Sequence, residues 1–138
     1  MKRIKKETFG PHLMLDLWDC NASKLEDYEL VFDVLKELPD KIGMTKITQP
    51  YVFPYSGLVP EDKGITGTVI IAESHISIHT FQEKGHCFVD VFSCKNFDVD
   101  FAAEYLINVF ESKKYDKYVV ERGKNFIRSQ QEETASVS

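Results

Sequence analysis

Glu73-Ser74-His75-Ile76-Ser77-Ile78-His79-Thr80-Phe81 follows an apolar run at residues 65–71 and is itself followed by Asp90-Val91-Phe92-Ser93-Cys94. The β-branched residues before it, and the alternation of Ile76 and Ile78 within it, favour extended backbone over helix. Gln82-Glu83-Lys84-Gly85 reads as a hairpin turn, because Gly85 tolerates positive φ and both flanks are strand-like. If that turn centres near residue 84, Ser74 lies opposite Cys94, with Cβ atoms about 4.5–5.5 Å apart. A slip of one residue would turn the two to opposite faces.

A single strand from residue 65 to residue 81 would far exceed the usual five or six residues, so a break is predicted near Glu73-Ser74. Gly67 predicts a bulge or a close backbone approach. His75 and His79 have the spacing of an H-x3-H metal pair only on a helix. On a strand they stand about 13 Å apart, too far for one ion. His79 also falls about 16 Å from Ser74 along the strand, and Thr66 further. For either to act on Ser74, the chain must turn sharply or a second copy must supply it.

The rest of the chain sets the frame. Its 138 residues support one domain with a real core. A net charge of −5 argues against nucleic acid as the main partner and mildly favours cationic small molecules. Lys2, Arg3, Lys5 and Lys6 make a basic start with no apolar stretch behind it, so no secretory signal is read. No apolar run approaches the ~20 residues of a membrane span. Cys20, Cys87 and Cys94 are odd in number and lack C-x-x-C spacing, which fits a reducing cytoplasm better than a disulfide framework.

Residues 10–19 alternate as a strand, with Leu13, Leu15 and Leu17 on one side and His12, Met14, Asp16 and Trp18 on the other. His12 is read as a structural histidine near the strand's start. A helix capped by Asn21 or Ser23 carries the stripe Leu25, Tyr28, Val31, Phe32, Leu35 and Leu38 and ends at Pro39. Residues 43–53 are expected as a strand interrupted at Pro50, which fits an edge or an irregular end better than a central ladder. Residues 51–63 are expected as an exposed loop. Its Tyr51, Phe53 and Tyr55 either alternate between core and surface or form a stacking platform for a flat ligand. A second helix is predicted over 97–110, starting at Asp98, and a last strand over 115–122. The domain is taken as residues 1–126, with 127–138 a disordered polar tail. The fold expected is an α/β (α+β) two-layer sandwich, a mostly antiparallel sheet with two helices packed on one face.

The string Glu73 to Thr80, with Thr66-Gly67-Thr68-Val69-Ile70-Ile71 before it and Asp90-Val91-Phe92-Ser93-Cys94 after it, closely resembles the prokaryotic S-adenosylmethionine decarboxylases. The resemblance extends over residues 10–123. It implies a chemistry that answers a real problem, since decarboxylating an amino acid leaves electrons that no ordinary side chain accepts. There is no Gly-rich phosphate loop for pyridoxal phosphate, and Lys84 lies in a turn. The resemblance implies instead that Ser74 attacks the Glu73 carbonyl and that β-elimination then leaves a pyruvoyl group on residue 74. The products would be chains 1–73 and 74–138, the second with its folded core at 74–126.

By position, the resemblance assigns His79 to proton removal in self-cleavage, a task that suits histidine. Thr66 stands where a serine supports that step, and Cys94 where a thiol reprotonates the product carbon. It implies a homodimer in the cytoplasm, and a decarboxylated product that serves as an aminopropyl donor for spermidine and other polyamines. Phe81, Phe53 and Tyr55 are candidates for stacking on adenine, and Glu83 for the ribose hydroxyls.

The family commonly reads Thr-Trp-Pro-Glu where this chain has Thr80-Phe81-Gln82-Glu83, and the loop at 51–63 looks extended. A self-cleaving enzyme turned to arginine or ornithine is therefore an alternative. A non-catalytic regulatory paralogue predicts loss of Ser74, His79 or Cys94, and all three are present. A metal-dependent hydrolase using the histidines, cysteines and Glu83 is disfavoured by the strand spacing, and no metal is assigned.

Overall fold

The computed structural model describes residues 3–6 and 8–131, with only the backbone described for 3–6 and 128–131. Six strands form one sheet in the order β3-β4-β5-β6-β2-β7, every neighbouring pair antiparallel. They are β2 (Gly10–Trp18), β3 (Tyr51–Tyr55), β4 (Gly64–Ile71), β5 (Ser74–Phe81), β6 (His86–Ser93) and β7 (Lys114–Arg122). A separate two-stranded ribbon pairs β1 (Arg3–Lys6) with β8 (Ile127–Gln131).

The helices are α1 (Ala22–Leu25), α2 (Tyr28–Lys41) and α3 (Val99–Val109). The expected first helix is thus two, because Asp27 takes extended backbone and caps a new start by accepting the Leu30 N–H. Asn21 caps α1 through the Ser23 N–H. Pro39 lies inside the last turn of α2, three residues from the C-cap, and does not end the helix. Asp98 caps α3 as the sequence implies.

Helices α2 and α3 lie on one face of the sheet. Leu13, Leu15 and Leu17 of β2, Ile76 and Ile78 of β5, and Val89 and Val91 of β6 point to that face and are buried with Val31, Leu35, Leu38 and Leu106. Each such side chain taken from water contributes about 1.5–3 kcal/mol, so period two on the strands and the helical stripes together place the core. Gly67 serves as a close approach rather than a bulge. The β3–β4 register runs past it unbroken, and a Cβ there would stand 2.7 Å from Leu35 Cδ1 and 3.3 Å from Val31 Cγ1.

Three further expectations change. Residues 43–50 form no strand apart from an isolated bridge between Lys46 and Ile71. The expected edge strand survives only at its end, as β3 (Tyr51–Tyr55), which runs on into the expected loop through Pro54, tolerated there because one side of an edge donates no ladder bonds. The expected tail from residue 127 begins as β8, while residues 132–138 lie outside the described residues. No described helix is long and apolar enough to cross a membrane.

The opposite face of the sheet has no helix on it among the described residues. Alternation places Tyr51, Phe53 and Tyr55, then Thr66, Thr68 and Ile70, then the histidines and phenylalanines of β5 and β6 there. Tyr51, Phe53, Tyr55 and Tyr118 are each about half exposed. A sheet face with this much apolar area in solvent is unusual for a monomer.

Candidate active site

The first cluster is at the rim of the sheet, where a turn at residues 72–73 joins β4 to β5. This is the break the sequence predicts: Glu73 ends the turn and Ser74 begins β5. Ser74 pairs with Ser93, and Phe81 with His86. The expected pairing of Ser74 with Cys94 is therefore one residue out. The loop at 82–85 centres between Glu83 and Lys84, half a residue before the assumed position, and half a residue at the turn becomes a whole residue in the register. Gly85 takes positive φ, +73°.

Cys94 nevertheless reaches the corner through its backbone, because its N–H donates to the Glu73 carbonyl at 2.9 Å. The Glu73 carboxylate accepts the Thr45 N–H at 3.1 Å. The Ala72 N–H in turn donates to the Thr45 carbonyl at 2.8 Å. Glu73 is thus held from both sides. Ser74 is half-buried on the helix side at the end of its strand, opposite the buried Ser93.

The second cluster is at the far end of β5 on the open face. Thr66 and His79 are directly paired across β4 and β5, with Thr66 Oγ1 and His79 Nδ1 3.3 Å apart. Phe53 pairs with Thr66 from the edge strand. Tyr55, Thr66, His79, Thr80 and Phe81 line a cavity of about 260 Å³. Phe81 meets Phe88 edge-on at 5.7 Å. The exposed Glu83 sits in the turn beyond and does not line this cavity.

β5 runs unbroken between the two clusters, so the Ser74-to-His79 span is about 16 Å. Thr66 and His79 meet each other but not the Ser74 of their own chain. The reach problem seen in the sequence therefore stands, and the sharp turn that would have solved it is absent from the strand.

Between the clusters lies a polar network that sequence reasoning did not assemble. His12 Nε2 is 3.1 Å from Asp90 Oδ1, and the Ser77 hydroxyl donates to Asp90 Oδ2 at 3.5 Å. The Arg122 guanidinium sits over the Phe92 ring at 4.1 Å. Burial, and after it the charge of His12, push His75 below the ordinary histidine range, against the pull of Asp90. The signal was present, since all these residues fall on one parity of their strands, but it needs the strand order β5-β6-β2-β7 to be read. Within this network Asp90 fixes the position of the His12 ring.

Ser93 and Gly10 were also passed over. Among the described residues no three His, Cys, Asp or Glu side chains gather as a metal site. Lys84 is committed to Asp62 at 2.8 Å in its turn.

Residues 11–123 match the family model described as S-adenosylmethionine decarboxylase. The chain is 36% identical over 118 residues to the S-adenosylmethionine decarboxylase proenzyme of Aquifex aeolicus (strain VF5), covering 85% of this chain and 83% of that one. It is 30% identical over 132 residues to the proenzyme of the same name from Bacillus cytotoxicus, covering 95% and 97%. Among solved structures it is similar to the crystal structure of the adenosylmethionine decarboxylase from Aquifex aeolicus VF5, with a TM-score of 0.74 and 33% identity over 89% of this chain and 98% of that one.

Proposed function

The chain belongs to the S-adenosylmethionine decarboxylase family, and on that premise we infer that it is a carboxy-lyase of S-adenosylmethionine, made as a proenzyme that cuts itself between Glu73 and Ser74. The observation that carries this reading is the rim corner. The Glu73–Ser74 peptide sits in a tight turn, its carbonyl fixed by the Cys94 N–H at 2.9 Å, with the hydroxyl of Ser74 one residue on.

In the cleavage, Ser74 Oγ loses its proton to a base and bonds to the Glu73 carbonyl carbon. The peptide C–N bond then breaks, and its nitrogen takes a proton. Residue 74 now carries the Glu73 acyl group as an ester. Removal of its Cα proton expels the Glu73 carboxylate from Cβ, and one water releases the nitrogen as ammonia. The pyruvoyl group left on residue 74 supplies the electron sink that α-decarboxylation requires. The residues fit a group made in place, because the serine stands at the start of β5 beside the turn that carries the bond to be cut, and Lys84 is held elsewhere by Asp62.

His79 as the base and Thr66 as its hydroxyl partner fit one another at 3.3 Å, but they lie about 16 Å from the Ser74 of the same chain. The uncovered face, with Tyr51, Phe53, Tyr55 and Tyr118 half exposed, supports a second copy as the answer. Two copies stacked on that face about a two-fold axis set the Thr66–His79 end of one against the Ser74 rim of the other. The assembly is a homodimer with composite sites, and Cys94 is the proton donor to product. The aromatic cavity of Tyr55 and Phe81, with Phe53 on the adjoining edge, receives the adenine. Glu83 reaches the ribose only from the turn beyond. The enzyme works in the cytoplasm.

Intact mass should show two chains, 1–73 and 74–138, and carbon dioxide should be released from S-adenosylmethionine in preference to arginine or ornithine. Co-folding Ser74→Ala chains with His79→Ala chains tests the composite site. The His79→Ala chain should be cut only in the mixture, and an uncut mixture would show that His79 does not act across the interface.

A further inference from the structure

The scissile carbonyl is gripped by a backbone donor, and that donor is itself held in an unusual way. Gly10, the first residue of β2, lies directly against the end of β6. A Cβ at position 10 would stand 1.8 Å from the Ser93 carbonyl oxygen and 2.8 Å from Cys94 Cα. Both are backbone atoms with no rotamer to relax, so only glycine permits this approach. On the other side, the Ser93 hydroxyl arches over Cys94: it accepts the Lys95 N–H at 2.9 Å and lies 2.8 Å from the Lys95 carbonyl. Lys95 Nζ continues the brace by donating to the Gly43 carbonyl at 2.8 Å. Between these two constraints the Cys94 N–H points at the Glu73 carbonyl oxygen at 2.9 Å.

We propose that Gly10 and Ser93 are positioning residues for self-cleavage, which hold the backbone N–H of Cys94 on the Glu73 carbonyl as an oxyanion donor. The proposal rests on the self-cleavage reading above and adds a part to it. When Ser74 Oγ bonds to the carbonyl carbon, the π electron pair moves onto the carbonyl oxygen. It returns when the C–N bond breaks and the nitrogen is protonated. A donor already aimed at that oxygen gains strength as the charge grows and needs no reorganisation. The thiol of Cys94 and its N–H then have separate tasks: the N–H acts once, in maturation, and the side chain in each turnover.

The test follows cleavage of freshly synthesised full-length chain by intact mass. The decisive variant replaces residue 94 by the α-hydroxy acid analogue of cysteine through cell-free suppression, which keeps the thiol and exchanges the N–H for oxygen. Its cleavage should be slower by about 10²–10³-fold, the usual effect of removing one oxyanion donor. Gly10→Ala, which must displace the Ser93–Cys94 backbone by an ångström or so, should slow cleavage by about 10²-fold. Ser93→Ala should slow it at least about tenfold, and Ser93→Thr, which keeps the hydroxyl, should restore most of the rate.

The same substitutions in a Ser74→Ala background report thermal unfolding of the uncut chain. A variant that melts with the parent yet cuts slowly supports positioning. If Gly10→Ala does not fold, the residue-94 exchange decides alone. Cleavage of the α-hydroxy variant within threefold of the wild-type rate would overturn the proposal. Wild-type chain that stays full-length would instead overturn the self-cleavage reading beneath it.

Discussion

Replacing Thr80 by valine removes one oxygen and leaves the outline of the side chain unchanged. Thr80 is 2% exposed. Its hydroxyl donates to the Leu25 carbonyl at 2.7 Å and accepts the Ile65 N–H at 2.9 Å. It therefore joins the end of α1 to the start of β4, where the β4–β5 ladder has already stopped at the Thr66–His79 pair. Valine leaves a buried donor and a buried acceptor without partners, each worth about 1–3 kcal/mol. The extra buried methyl returns about 0.8 kcal/mol. The expected net loss is about 1–5 kcal/mol, and for a domain of this size the unfolding midpoint should fall by roughly 4–20 °C.

The measurement is urea and thermal unfolding of Ser74→Ala chains, with and without Thr80→Val, so that both samples are single uncut polypeptides and two-state analysis holds. Thr80→Ser keeps both bonds and should lose about 1 kcal/mol. A loss below 1 kcal/mol for Thr80→Val would refute the reasoning, because it would mean that the Leu25 and Ile65 backbone groups are satisfied without the hydroxyl. The point has some consequence for the motif: one of the residues that carries the family resemblance then serves the fold rather than the chemistry.

Cleavage at residue 73 should release nothing. In the order β3-β4-β5-β6-β2-β7, the strand β2 of the first fragment lies between β6 and β7 of the second. Native mass spectrometry should therefore find the two fragments together, and denaturing conditions should separate them. Stability of uncut Ser74→Ala chain should fall as pH drops below about 6.5. His75 is pushed below its ordinary value by burial and by His12, so between its folded and unfolded values the unfolded chain binds more protons. His75→Phe should flatten that part of the stability profile measured by urea midpoints, and an unchanged slope would show that His75 does not contribute to it.

Much of this protein is legible from local rules. Strand β5, its turn with Gly85 at positive φ, and the caps Asn21 and Asp98 follow from side-chain shape and backbone freedom within a few residues. The end of β3 beyond Phe53 was hidden by Pro54, which weakens a strand signal except at an edge, and strand order fixes where the edge lies. β8 was hidden because a polar ribbon strand has no apolar period, and its partner β1 lies at the other end of the chain.

The sequence by itself determined which side chains the chain carries and in what order: a serine after a glutamate, a histidine, a threonine and a cysteine, an order that resembles one family. Tertiary structure alone decided which of them meet. It set Ser93 rather than Cys94 opposite Ser74, turned the Cys94 N–H onto the Glu73 carbonyl, and joined Thr66 to His79 far from both. The reason is that side-chain chemistry belongs to single residues. Proximity between strands depends on register and strand order, which the whole sheet settles and in which one residue of slip exchanges its two faces.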